Sequence, residues 1–297
     1  MKWQGVIPAM TTGFREDGSV DHDFVARHAN WFIDNGCTGV VALGSLGEGS
    51  TLALPEKVEV LRTCVKALNN RAPVVAGVAA LSTAEAVTLA RAASEVGCKG
   101  LMVLPPYVYS TDWREMKAHV AAVIKATPLS CMLYNNPIAY KTDYLPVQIA
   151  ELAKEHSNLH AVKESSADVR RLVAIKAEVG DRLALTVGVD DMIVEGVEAG
   201  AVGWIAGLVN ALPAESVALF NQSVEGGMDK AYDLYKWFLP LLRMDVVVKF
   251  VQLIKLVQQE VGMGSERVRP PRLVLTGAER EEALKIIREH LAKRPKI

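Results

Sequence analysis

Residues 35–43 read NGCTGVVAL, a segment that ends one helical pattern and opens a short apolar strand. The same plan recurs as VGCKGLMVL at residues 96–104 and as AGAVGWIA at residues 199–206. In each copy a glycine can take the left-handed conformation that ends a helix, and the apolar residues that follow suit a strand. The three copies indicate one structural unit, a helix followed by a buried strand, that repeats along the chain.

Further apolar segments extend this repeat. They lie at residues 6–9, 73–77, 129–134, 159–163 and 183–188. Amphipathic stretches of helical length, such as 55–68 and 82–95, separate the strands. Strands that are apolar throughout are typical of parallel sheets buried on both faces. Eight such units over about 210 residues predict an α/β fold, a closed (β/α)8 TIM barrel. An open, doubly wound parallel sheet is the alternative.

The pattern becomes helical after residue 206. Helices are predicted from residue 213 to about 242, from 246 to 260 and from 277 to 292. The segment RPPR at residues 269–272 separates the last helix from the one before it, because proline lacks the backbone N–H donor that a helix interior needs. We therefore expect a barrel over residues 1–212 and a helical extension over residues 213–297 that packs on it.

Composition excludes several classes of partner. The 297 residues carry a net charge of −1, which gives no basic footprint for nucleic acid or an anionic membrane. No apolar run approaches the ~20 residues of a membrane span, and we expect a cytoplasmic protein. The four cysteines are far apart and no His-x-x-x-His pattern occurs, so neither a metal nor another cofactor is expected.

Lys163 is the most informative candidate for chemistry. In a barrel of this kind the active site lies at the carboxyl ends of the strands, and Lys163 ends the sixth one. Burial of an ammonium disfavours its charged form, and the neutral amine is the species that attacks a carbonyl carbon to form a Schiff base. The alternative is a lysine with a buried stem whose ammonium reaches solvent.

Tyr134 and Ser45 are the next candidates. Tyr134 ends the fifth strand, so it should lie beside Lys163 at the same height of the barrel. A phenol there can pass the protons that Schiff-base formation demands, although a tyrosine that only caps the barrel is the alternative. Ser45 lies in the turn GSLGEG at residues 44–49, which lacks the phosphate-binding pattern with a lysine. Its hydroxyl and backbone N–H groups suit a carboxylate better.

Other strand ends supply candidates for substrate contacts. These are Gly44, Leu46, Gly188, Asp190, Asp191 and Ile205. For the two aspartates the alternative is a charge at the start of a helix. The expected partner is a small molecule, either a 2-oxo acid or a cyclic imine that carries a carboxylate.

The motifs together resemble a known superfamily. GSLGE at 44–48, YNNP at 134–137 and the Lys163 strand followed by GVDD at 188–191 are similar to dihydrodipicolinate synthase and N-acetylneuraminate lyase, which are class I aldolases. This resemblance spans nearly the whole chain. It implies a barrel with C-terminal helices, commonly a homotetramer, in which Lys163 forms a Schiff base with a 2-oxo acid. It also implies that Tyr134 shuttles protons and that Ser45 holds the substrate carboxylate.

The chain departs from the synthase branch of this superfamily. Where the synthases have an arginine for the carboxylate of a dicarboxylic partner, two residues after the proline of the tyrosine motif, this chain has Ala139. Ser45 and Leu46 stand where they have threonines. Val108 stands where they have a second tyrosine, and Tyr109 is a candidate replacement for it in a proton relay.

A second resemblance concerns the substrate. AVGW at 201–204, YKWFLPLL at 235–242 and RPPRL at 269–273 are similar to the 1-pyrroline-4-hydroxy-2-carboxylate deaminases. This implies attack of Lys163 on a cyclic imine, ring opening, and loss of water and ammonia to leave 2,5-dioxopentanoate. The alternatives are a 4-hydroxy-tetrahydrodipicolinate synthase or another lyase that acts on a 2-oxo acid, and a non-catalytic binding barrel.

Overall fold

The computed structural model of the chain describes residues 1–106 and 112–297. Within these ranges the strands are β1 (Gly5–Pro8), β2 (Val40–Ala42), β3 (Val74–Val78), β4 (Gly100–Val103), β5 (Ser130–Asn135), β6 (Leu159–Glu164), β7 (Ala184–Val187) and β8 (Gly203–Ala206). The α-helices are α1 (His22–Asp34), α2 (Leu54–Leu68), α3 (Thr83–Val96), α4 (Trp113–Lys125), α5 (Pro137–Tyr140), α6 (Pro146–Glu155), α7 (Arg170–Val179), α8 (Ile193–Glu198), α9 (Pro213–Leu242), α10 (Phe250–Glu260) and α11 (Gly277–Leu291).

The strands form a closed parallel barrel. Each strand from β2 to β7 pairs with the next in sequence, and β8 pairs in parallel with β1. Closure between β1 and β2 comes from a parallel bridge between Ala9 and Val41. It is extended by a hydrogen bond from the N–H of Thr38 to the carbonyl of Val6, 2.9 Å long. The predicted (β/α)8 barrel is confirmed, and the open-sheet alternative is wrong.

The repeated segments at residues 35–43, 96–104 and 199–206 share one backbone conformation at the end of the helix. Gly36, Gly97 and Gly200 all have positive φ, at 90°, 103° and 100°, just after α1, α3 and α8. A side chain disfavours this region of backbone conformation, which explains why glycine marks each helix end. The strands that follow are buried along their whole length, as expected for a sheet covered by helices outside and filled by side chains inside.

The helical extension departs from prediction at one helix start. A helix was expected from residue 246, but α10 begins at Phe250, and Val246, Val247 and Val248 form an exposed turn. Three successive β-branched side chains lose rotamer freedom in a helix, and these three have no core to cover in return. Helix α9 is interrupted at Gly226 and Gly227, which have non-helical dihedral angles.

The boundary at residue 212 stays a prediction. Helix α9 packs against α8 and β1, where the eighth helix of the barrel belongs. All four cysteines are buried and unpaired, as expected, and burial raises the pKa of each thiol to about 12. None of the helices in the described ranges combines the length with the apolarity that spanning a bilayer demands.

A buried ion pair ties the extension to the barrel. Lys255 of α10 donates to Glu48 in the turn after β2 across 2.6 Å, and both side chains are almost fully buried. Lys255 also donates to the carbonyl of Arg267, and the backbone N–H of Arg269 donates to the other oxygen of Glu48. Removing one partner of such a pair costs about 3–5 kcal/mol, because the other charge is left buried alone. The extension therefore fixes the turn that carries Ser45.

Candidate active site

Lys163 and Tyr134 lie side by side at the carboxyl end of the barrel. They are paired in register on β6 and β5, and the Lys163 amine lies 4.2 Å from the centre of the Tyr134 ring. Lys163 is only 6% exposed, which favours the buried amine over one that extends into solvent. In the described ranges no carboxylate lies within ion-pair distance of it, in contrast to Lys255. The predicted neighbourhood of the two residues is confirmed.

Gly188 makes room for the lysine. A Cβ atom built on Gly188 would lie 2.4 Å from Cε of Lys163 and 2.0 Å from Oγ of Ser165. Any side chain at this position would therefore collide with the lysine stem. Gly188 is one of the predicted site residues, and its contact is with the lysine itself.

The Tyr134 hydroxyl belongs to a polar cluster that the sequence only partly indicated. It accepts a hydrogen bond from Nδ2 of Asn136 at 3.0 Å. The rings of Tyr134 and Tyr140 are nearly perpendicular, and their centroids lie 5.7 Å apart. The Tyr140 hydroxyl in turn shares a hydrogen bond with Oγ of Ser45. Ser45 thus reaches Tyr134 through Tyr140, a residue that sequence reasoning missed.

The position of Tyr140 depends on a very short helix. Asn136 caps α5 by accepting from the N–H of Ala139 at 3.0 Å, and Pro137 sets the first turn. This turn carries Tyr140 back over the barrel mouth. A second tyrosine six residues after Tyr134 was the available signal, but its direction depends on α5, which was not predicted.

The turn after β2 is held in a strained, compact shape. Leu43 and Glu48 both have positive φ, at 69° and 53°, although neither is glycine. The hydroxyl of Thr12 donates to the carbonyl of Gly47 at 2.7 Å. Gly44 and Leu46 in the same turn are buried, while Ser45 is half-buried and turns toward Tyr140. Their contact with a substrate carboxylate stays a prediction.

A second network, also missed from the sequence, fixes the ends of β5 and β6. The amide of Asn135 donates to Glu164 at 3.1 Å and to Asp143 at 3.0 Å, and its oxygen accepts from the N–H of Tyr144. Burial raises the pKa of the Glu164 carboxyl, while the N–H of Ser166 hydrogen-bonds it. Because Asn135 and Glu164 directly follow Tyr134 and Lys163, this network fixes the two predicted catalytic residues relative to each other.

Asp190 lies at the predicted end of β7, but its oxygens are bound by donors of the protein itself. It is fully buried, and its oxygens accept from Nε1 of Trp204 at 2.9 Å and from the backbone N–H groups of Gly207 and Leu208 at 3.0 and 2.7 Å. Burial raises its pKa to about 6 despite these donors. These contacts assign Asp190 to holding the loop after β8, so direct contact with substrate is not supported.

The other predicted residues are placed as follows. Asp191 is partly exposed and lies 3.8 Å from the guanidinium of Arg243. Ile205 is buried on β8, in register with Ile7 of β1. Val108 and Tyr109, which were considered for the proton relay, lie outside the described residues. In the part of the chain that is described, no three His, Cys, Asp or Glu side chains are grouped to bind a metal ion.

An amine that is buried against a phenol can capture a carbonyl compound as a Schiff base, while the phenol moves the protons. On a (β/α)8 barrel this arrangement defines a class I aldolase-type lyase, and the chain is an enzyme of that class. Residues 2–290 match the Dihydrodipicolinate synthetase family. The chain belongs to this family, which confirms the resemblance drawn from its motifs.

Relatives support the same conclusion. A 4-hydroxy-tetrahydrodipicolinate synthase of Chelativorans sp. (strain BNC1) is 34% identical over 239 residues, covering 80% of this chain and 82% of the relative. The solved dihydrodipicolinate synthase of Bacillus anthracis has 27% identity and a TM-score of 0.93 over 100% of both chains. That of Acinetobacter baumannii, solved with pyruvate, has 27% identity and a TM-score of 0.92 over 97% of this chain and 99% of its own.

Proposed function

We propose that the enzyme is a 1-pyrroline-4-hydroxy-2-carboxylate deaminase, which releases 2,5-dioxopentanoate and ammonia. The observation that carries this proposal is Ala139. It is exposed on α5, one residue before Tyr140, at the position where the synthases have an arginine for a second carboxylate. A methyl group cannot replace a planar guanidinium that binds a carboxylate through two hydrogen bonds. The pyrroline has a single carboxylate and does not need that arginine.

The reaction follows from the chemistry of Lys163. Its neutral amine adds to C2 of the ring, and the ring nitrogen leaves as an amine on C5, which gives an open-chain Schiff base. The Schiff base withdraws electrons, so Tyr134 can remove a proton from C3. The hydroxyl then leaves C4 as water, and proton shifts move the unsaturation to C5 as an imine. Two water molecules hydrolyse this imine to ammonia and an aldehyde and free Lys163 from the product.

A second candidate is a 4-hydroxy-tetrahydrodipicolinate synthase, or another aldolase that acts on pyruvate. The curated relatives in the comparison carry that synthase name, which favours it. A non-catalytic binding barrel has less support, since Lys163 and Tyr134 are both present and adjacent.

Borohydride trapping and ammonia release test the proposal together. The protein is treated with borohydride in the presence of the pyrroline or of pyruvate, and the modified peptide is mapped by mass spectrometry. We expect a reduced adduct on Lys163 with either compound. Ammonia should be released only from the pyrroline. Lys163→Ala should abolish both and still fold, while Lys154→Ala, which changes an exposed lysine, should change neither.

Each alternative gives a different result. Condensation of pyruvate with aspartate semialdehyde, without ammonia release from the pyrroline, would establish the synthase instead. Absence of any adduct with either compound would contradict Schiff-base chemistry altogether.

We also propose a homotetramer in the cytoplasm. The family resemblance supports subunit contacts, and the buried, unpaired cysteines suit a reducing compartment. Light scattering should give four times the chain mass of 32.2 kDa. A mass of one or two chains would contradict the tetramer.

A further inference from the structure

Asp245 brings a second carboxyl group to the loop after β8. It lies in the turn between α9 and α10, in the helical extension, and its carboxyl packs against Gly207. A Cβ atom built on Gly207 would lie 1.9 Å from Oδ1 and 2.3 Å from Cγ of Asp245. The backbone N–H of the same glycine donates to both oxygens of Asp190 at 3.0 Å. Gly207 therefore separates two carboxyl groups, and its missing side chain allows the second to approach.

The two carboxyl groups differ in their partners. Asp190 accepts from the indole of Trp204 and from the N–H groups of Gly207 and Leu208. Asp245 has no hydrogen bond or ion pair with any residue in 1–106 or 112–297. Two carboxylates this close disfavour each other's ionisation, and the N–H donors keep the negative charge on Asp190. The proton of the pair therefore stays on Asp245.

The charges that face Asp245 agree with this assignment. Its pKa is raised well above the ordinary value by burial first, then by the charge of Asp190, and to a smaller extent by that of Asp191. The positive charge of Lys163 acts in the opposite direction. The geometry places the two carboxyl groups near the lysine: Asp190 follows β7 two residues after Gly188, which lies against the stem of Lys163, and Asp245 packs on the Gly207 that binds Asp190.

A structural role does not account for this carboxyl. A group that is partly buried, unpaired and adjacent to a like charge destabilises the folded chain. The extension is already anchored by Lys255 and Glu48. An unfavourable group retained beside a catalytic centre is typical of residues that serve the reaction.

We propose that Asp245 is a catalytic residue that protonates the hydroxyl leaving the carbon β to the Schiff-base carbon. The role rests on the proposed function, in which this hydroxyl is on C4. After C3 has lost its proton, the electron pair of the enamine forms the C3–C4 double bond and the C4–O bond breaks. The oxygen takes the proton of Asp245 and departs as water, the iminium at C2 is restored, and the carboxylate recovers a proton from solvent.

Asp245→Asn tests this step, because an amide keeps the shape but cannot give up a proton. Ammonia release from the pyrroline should fall by about 10²-fold or more, the scale of general acid catalysis. Borohydride trapping and exchange of the pyruvate methyl hydrogens with deuterium should not change, since neither involves loss of a hydroxyl from the carbon β to the Schiff-base carbon. The thermal midpoint should stay or rise, whereas a structural residue would lower it. Asp233→Asn, an exposed carboxylate on α9, is the control.

Gly207 offers an independent variant. Gly207→Ala places a methyl group where the Asp245 carboxyl lies. It should therefore slow elimination as much as Asp245→Asn is expected to. The double variant should be no slower than either single one, because both remove the same group. If the rate losses of the two single variants multiplied in the double variant, the inferred contact between Gly207 and the Asp245 carboxyl would be contradicted.

The outcomes separate this inference from the proposed function. Full ammonia release by Asp245→Asn would overturn the role of Asp245 and leave the deaminase intact. If the wild type releases no ammonia from the pyrroline, an open-chain 4-hydroxy-2-oxo acid is the second probe. Elimination of its hydroxyl that depends on Asp245 would support the role and reject the deaminase. No elimination from either compound would overturn both.

Discussion

Gly188→Ala should separate the position of the nucleophile from the stability of the barrel. The added methyl carbon would lie 2.4 Å from Cε and 2.8 Å from Cγ of Lys163. To restore an ordinary contact of 3.4 Å, the lysine stem has to move by about 1 Å. A displacement of that size at a reacting atom can reduce a rate by about 10²-fold. Overpacking should also cost about 1–3 kcal/mol of unfolding free energy.

The assay measures both effects on the same samples. The rate of borohydride trapping with pyruvate reports the position of the Lys163 amine, and chemical denaturation reports stability. Gly196→Ala is the matched control, because a Cβ there would lie 2.2 Å from Cγ2 of Val187 and touch no part of the lysine. It should lose comparable stability and keep the trapping rate.

Equal trapping rates in the two alanine variants would refute this reasoning. The lysine stem would then adapt without moving its amine, and Gly188 would have no part in positioning it.

Three further predictions concern single side chains. Tyr134→Phe should fold normally and slow the proton transfers by about 10²-fold or more, measured as ammonia release; unchanged turnover would remove the phenol from the mechanism. Lys255→Met should lower the free energy of unfolding in urea by about 3–5 kcal/mol, since the buried carboxylate of Glu48 is left unpaired. A loss below about 1 kcal/mol, the value of a surface ion pair, would contradict a buried pair. Because folding raises the pKa of Asp190 from 3.8 to about 6, the folded state binds more protons between these values, and stability should fall as pH rises through this window. Asp190→Asn should flatten that part of the profile, and an unaltered slope would assign it to another group.

The barrel and the adjacency of the two candidate catalytic residues could be predicted from the sequence, because both follow from local rules. Glycine at helix ends and uninterrupted apolar strands mark each unit, and counting units places Tyr134 and Lys163 on adjacent strands. These signals depend on residues close together in the chain. They therefore survive without knowledge of the tertiary structure.

The missed residues depend on how distant segments meet. Tyr140 reaches Ser45 only because α5 turns back over the barrel, and Asp245 reaches Gly207 only because the extension folds onto β8. Asp190 was assigned to the correct strand end, but the backbone donors that bind its oxygens come from a loop seventeen and eighteen residues later. Spacing along one segment contains no information about such partners.

The buried pair of Glu48 and Lys255 limits how this enzyme can be engineered. A truncation that keeps only the barrel would remove both donors to Glu48, the Lys255 ammonium and the backbone N–H of Arg269. The Glu48 carboxylate would then be buried without a partner in the turn that carries Ser45. Grafting the extension of another barrel onto this one would meet the same obstacle unless it brought its own cation to that spot. Any transplant must therefore move the turn after β2 and α10 together.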